Sequence, residues 1–171
     1  MFPKIIKLFL AAICVGLAGY QFFDNYIGNG IFLLLLAGMF VLLFYKNEII
    51  FLAFLRLRKQ DFDGTLRWLD RIGSPEKNLV RKQQGYYNFL KGIISSQSNL
   101  TQAEKHFKKA LQFGLSMNQD LAMAKMSLAG ILMQKRRKRE AQQLLAEAKK
   151  LDKQGLLSGQ MKMMQQQLKK I

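Results

Sequence analysis

The densest chemistry in the sequence is Lys135-Arg136-Arg137-Lys138-Arg139, five consecutive cations. Such a run attracts anionic headgroups, RNA phosphates or an acidic protein surface through charge alone, and it also suits a solvated turn. Tyr86 and Tyr87 lie between Arg81-Lys82 and Lys91, a sparse version of the aromatic–cation interleaving on which nucleic-acid bases stack. Packing against a neighbouring helix is the simpler reading of Tyr87. His106 is the only histidine and Cys14 the only cysteine, so a multi-histidine metal site and an intramolecular disulfide are both excluded. His106, in the helix position before Phe107, is expected at the surface. Asp61 and Asp63 begin a helix, where negative charge suits the dipole, and they make a poor acid–base pair. No phosphate-cradling loop, metal constellation or nucleophile triad is legible. These residues predict a chain that is not an enzyme, with no metal, cofactor or small-molecule substrate, and with a macromolecular partner.

The elements that position these residues are helical. Two prolines among 171 residues, with abundant Leu, Lys, Gln and Ala, favour helix. Ala103, Phe107 and Ala110 share one helical face, with two small residues bracketing a large one. Thirty-eight residues on, Ala141, Leu145 and Ala148 do the same, and thirty-eight earlier Thr65, Leu69 and Ile72 do it more loosely. Antiparallel helices approach closely only where one presents a small residue to the other's bulky one, and a hairpin that cannot bury its face alone must stack on the next. Asn99 with Gln102, and Ser116 with Gln119, read as helix starts, and Gly73-Ser74-Pro75 as a stop followed by an N-cap and a proline at the first helical position. Residues 157–170 read as a final helix.

The stretches QAEKHFKKAL, DFDGTLRWLDRI and EAQQLLAEAKK resemble the tetratricopeptide repeat family over about residues 47–152. The spacing of 38 departs from that family's usual ~34, and Lys91 and Lys138 stand where small or apolar residues are typical. The resemblance implies a solenoid of about three helix pairs closed by a capping helix. It also implies a partner groove lined by the first helix of each pair: Asn88, Ser95 and Ser96, then Met123, Met126, Met133 and Gln134. The competing reading of the methionines is burial against the last helix, through Met161, Met163 and Met164.

The amino-terminal third is apolar. Ile5–Phe23 carries only Lys7, and Ile31–Tyr45 carries no charge. A span of ~30 Å needs roughly 20 residues, so the pattern predicts a transmembrane hairpin over 1–46, with spans at about 5–23 and 27–46. A cleavable signal peptide is the alternative for the first run. Ala12, Gly16 and Gly19 suggest a small face packing on Ala37-Gly38. Basic residues flank the runs and avoid the turn between them, which predicts both termini in the cytoplasm. All but Lys4, Lys7 and Asp24 of the 27 basic and 11 acidic residues lie beyond position 45. The absence of Gly or Pro between Lys46 and Lys59 predicts one unbroken helix into the repeat domain at 47–171.

Taken together, the sequence predicts an all-α, multi-pass inner-membrane adaptor. It would hold a protein partner, a subunit of a larger membrane complex, at the cytoplasmic face. Docking on a ribosome or RNA near a translocation site, or on membrane lipids, is the alternative.

Overall fold

A computed structural model describes residues 4–45 and 48–170. Among them the chain is all-α, with ten helices and no strand. It divides into two compact units, Met1–Glu48 and Ile49–Ile171.

The first unit pairs α1 (Lys4–Phe23) with α2 (Ile27–Tyr45). Asn25 makes the turn in the left-handed region, φ 61, which its short amide side chain tolerates. The seam buries Ala11, Cys14 and Ala18 of α1 and Ala37 of α2. The Phe22 ring lies over Gly30, 2.8 Å from where a Cβ would sit. Ala12, Gly16, Gly19 and Gly38 are exposed instead. The expected small face is therefore rotated by one helical position, to where Phe22 can close over Gly30.

Among the described residues no helix is long and apolar enough to cross a membrane. This overturns the transmembrane hairpin, its two spans and the multi-pass inner-membrane localisation with both termini cytoplasmic. The first turn of α2 is Ile27-Gly28-Asn29-Gly30, so its uninterrupted apolar run begins only at Ile31 and covers roughly 22 Å at ~1.5 Å per residue, short of ~30 Å. In α1 the sequence carries Lys4, Lys7 and Gln21 towards the ends. The expected unbroken passage through Lys46 lies outside the described residues.

The second unit contains α3 (Glu48–Arg58), α4 (Phe62–Asp70), α5 (Pro75–Asn78), α6 (Arg81–Ser95), α7 (Leu100–Phe113), α8 (Asn118–Gln134), α9 (Lys138–Leu151) and α10 (Ser158–Lys170). The pairs α6/α7 and α8/α9 pack closely, α7 lies against α8, and α10 closes on α9 and α8. α3 and α4 touch far less closely. All nine residues of the small–large–small pattern are buried, from Thr65, Leu69 and Ile72 through Ala103, Phe107 and Ala110 to Ala141, Leu145 and Ala148.

Local chemistry sets the helix ends. Asp61 caps α4 by accepting from the Gly64 amide, and Asn99 caps α7 by accepting from Thr101 and Gln102. Pro75 starts a helix, but α5 lasts one turn. Leu79, at the cap, turns extended and buries itself in the core of α3, α4 and α6, and Gln84 Nε2 holds the bend by donating to the Glu76 and Leu79 carbonyls. α8 begins after Met117 rather than Ser116.

Close approach is concentrated at two glycines of α6. A Cβ on Gly85 would lie 2.2 Å from the Gly114 carbonyl oxygen, and one on Gly92 would lie 3.1 Å from the Phe107 ring. Phe107 also meets Phe89 edge-on, with centroids 6.0 Å apart. These contacts seat α7 on α6.

Candidate docking surface

The basic run 135–139 forms the connection between α8 and α9. Lys135 caps the end of α8, Arg136 turns the chain with φ 59, and Lys138 opens α9. Two of the five cations are held by an acid on another helix. Lys135 Nζ donates to Glu104 Oε2 at 2.7 Å and to Thr101 Oγ1 at 3.2 Å. Arg137 Nη1 donates to Glu104 Oε1 at 2.7 Å, while its Nε and Nη2 clasp Glu140 at 2.7 and 2.6 Å. Lys108 adds a third cation to Glu104 at 2.7 Å.

The Glu104 side chain is only 10% exposed, covered largely by these partners. Hydrogen bonds from Lys108, and then from Lys135, hold its carboxyl down to about 2, against a smaller opposing effect of burial. The Arg137 guanidinium is pushed up, first by Glu140. Lys135 and Arg137 thus fasten the α8–α9 turn to α7. Arg136 and Arg139 are exposed and Lys138 is half-buried.

The residues expected to line a groove are not brought together on one open face. Asn88 is buried, donating to the Gln84 carbonyl at 2.8 Å, with its Oδ1 3.0 Å from His106 Nδ1. His106 is half-buried in that α6–α7 seam rather than at the surface. Burial pushes its imidazole below the ordinary range, and the charges of Lys91 and Lys109 push the same way. Ser95 is half-buried, and Ser96 ends α6 with its hydroxyl donating to Ile93. Met126 and Met133 belong to the core that also takes Met161, and Met123 and Met164 pack against it. Gln134 and Met163 are exposed.

Neither tyrosine is a free stacking platform. Tyr86 Oη donates to Asp120 at 2.5 Å and accepts from the Ser116 amide. Burial, and then Asp120, push its phenol up. Tyr87 packs against the core of α3, α4 and α6, with Lys91 Nζ 5.9 Å from its ring centre.

One hollow in the second unit was not legible in the sequence. A pocket of about 490 Å³ is lined by Leu52, Leu55, Arg56, Arg58 and Lys59 from the α3 end and by Trp68 of α4. Arg56 reaches Asp61 at 2.8 Å, and the Arg71 guanidinium lies 4.2 Å from the Trp68 ring centre. The apolar run 49–55 and the single tryptophan are each visible in the sequence, but their meeting depends on the turn at Gln60, φ 59.

Among the described residues no group of three or more His, Cys, Asp or Glu could hold a metal ion. The fold and site define an all-α chain with a cationic surface. No family model, no curated protein and no solved structure matches it. The identification as a tetratricopeptide protein with a transmembrane hairpin therefore does not hold. Small residues facing large ones are what any closely packed helix pair requires, so the pattern carries the pairing without carrying the family.

Proposed function

We propose that the chain is a non-enzymatic adaptor whose helical unit 49–171 docks an acidic surface of a protein partner. The observation that carries this reading is the fate of the carboxylates. Between Asp61 and Asp152 most are engaged by side chains of this chain: Asp61 by Arg56, Asp70 by Lys91, Glu104 by Lys108, Lys135 and Arg137, Asp120 by Tyr86, Glu140 by Arg137 and Glu147 by Lys125. Asp152 accepts from the Leu156 and Leu157 amides. Only Asp63 and Glu76 are left in that stretch. A net charge of +16 is therefore displayed with few competing acids, a field that steers an anionic partner and sets its orientation.

Within this reading, α6/α7 and α8/α9 are successive copies of one stacked helix-pair unit, with α3/α4 a looser first copy. The observation favouring protein over RNA is the engagement of Tyr86 and Tyr87, the two rings interleaved with Arg81, Lys82 and Lys91.

The test is affinity capture of the tagged full-length chain from native extract, with and without nuclease, followed by crosslinking and mass spectrometry. A stoichiometric protein retained after nuclease and crosslinked to the basic helices is the expected result. A monomeric chain with no stoichiometric protein, or material lost on nuclease treatment, overturns the adaptor reading, the latter in favour of RNA.

A further inference from the structure

The pocket between α3 and α4 combines an apolar wall with a cationic rim. Its wall is apolar: Leu55 is 39% exposed, and Leu52 and Trp68 are half-buried. Its rim is cationic. Among the described residues Arg58 and Lys59 form no ion pair, whereas Arg56 is shared with Asp61 and Arg71 covers Trp68. An apolar side chain seated here leaves water, and a carboxylate beside it meets a cation whose charge is not already used.

We infer that this pocket takes one bulky apolar side chain carried on an acidic peptide segment of the partner. The inference deepens the adaptor reading and rests on it for the ligand being a protein segment. A volume of about 490 Å³ accommodates a large side chain with adjoining backbone, and a buried aromatic or aliphatic anchor ringed by charge is the usual form of an interface hot spot. A basic or neutral segment gains the apolar contact but leaves the rim cations unmatched, so the charge supplies selectivity.

Trp68 is the only tryptophan, so its emission reports on this pocket alone. The full-length chain is titrated with three synthetic hexapeptides: Asp-Glu-Phe-Leu-Glu-Asp, the same peptide with Ser-Ser at the centre, and Gln-Gln-Phe-Leu-Gln-Gln. The expected result is a saturable change in Trp68 emission with the first peptide only, weakened about tenfold when Arg58→Gln and Lys59→Gln are combined. It should be lost with Leu55→Ser, whose exposed position spares the core.

Absence of saturation, equal binding of the Ser-Ser peptide, or equal binding of the uncharged peptide overturns the assignment. The two readings fail separately. If the Arg58→Gln/Lys59→Gln/Leu55→Ser chain still captures the same crosslinked partner as wild type, the pocket is wrong and the adaptor stands. If the peptide binds but the chain captures no protein, the adaptor is wrong and the pocket stands.

Discussion

Arg137 Nη1 donates to Glu104 Oε1 across 2.7 Å, tying the turn before α9 to the second turn of α7. Lys135 grips the other carboxylate oxygen at the same distance. A motif that reads as free charge in one dimension is thus split, with Lys135 and Arg137 serving the fold and Arg136 and Arg139 left exposed.

Glu104→Gln should destabilise the chain by about 1–2 kcal/mol at pH 7, a range reduced for solvent screening because Lys108 and Arg137 remain substantially exposed. The folded carboxyl sits at about 2, below its ordinary 4.5. Its contribution is therefore complete above pH 4.5 and is lost as pH falls towards 2. Urea midpoints of wild type and variant should converge over that window. A constant gap would show that Glu104 acts through packing.

Arg136→Gln/Arg139→Gln should leave stability within about 0.5 kcal/mol, since both side chains are exposed, while weakening capture of an acidic partner. Lys135→Gln/Arg137→Gln should do the reverse, lowering the melting temperature by unlatching Glu104. Thermal melts and quantitative capture on wild type and these two double variants separate the two roles.

Gly85→Ala should cost about 2–3 kcal/mol, because the new methyl meets a backbone oxygen at 2.2 Å that cannot move alone. Gly92→Ala should change stability by less than about 1 kcal/mol. There the gain in helix propensity offsets a 3.1 Å contact with a side-chain ring, which needs to give by only a few tenths of an ångström. Chemical denaturation of both variants gives the contrast directly.

Phe107→Ala should cost about 3–5 kcal/mol, by emptying the space between Phe89 and Gly92. Leu145→Ala, in the corresponding place on α9, should cost about 2–5 kcal/mol. A loss below ~1 kcal/mol at either position, read from urea unfolding, would contradict the packing described.

His106 is held neutral in the fold by burial. Its folded pKa lies below the ordinary 6.5, so the unfolded chain takes up a proton first, and stability falls as pH drops through 6.5. In His106→Gln this step should disappear. The direct check is an NMR titration of the imidazole, which should show a depressed midpoint.

Much of the helical architecture was readable because it depends on local periodicity. The face Ala103-Phe107-Ala110 and its counterpart at 141–148 can be seen as a spacing, and burial at 0–1% follows once each helix has a neighbour. The Asn99 cap is equally local. The expected groove was harder to read, because Asn88 and Met126 show the same polarity in sequence whether they face solvent, His106 or the last helix. Rotation about a helix axis decides, and distant contacts set that rotation: Gly85 on Gly114, Phe22 on Gly30.

By itself, then, the sequence determined that the described chain is helical, that small and large residues mark its packed faces, and that it carries a large excess of positive charge. These properties follow from composition and from intervals of three, four and seven residues along one helix. Only the tertiary structure decided which charges are free. Glu104 neutralises cations thirty-one and thirty-three residues away, and Trp68 lines one pocket with Leu52 and Leu55 from across a turn. Charge pairing and pocket formation depend on distance through space, which residue order does not encode until the helices have packed.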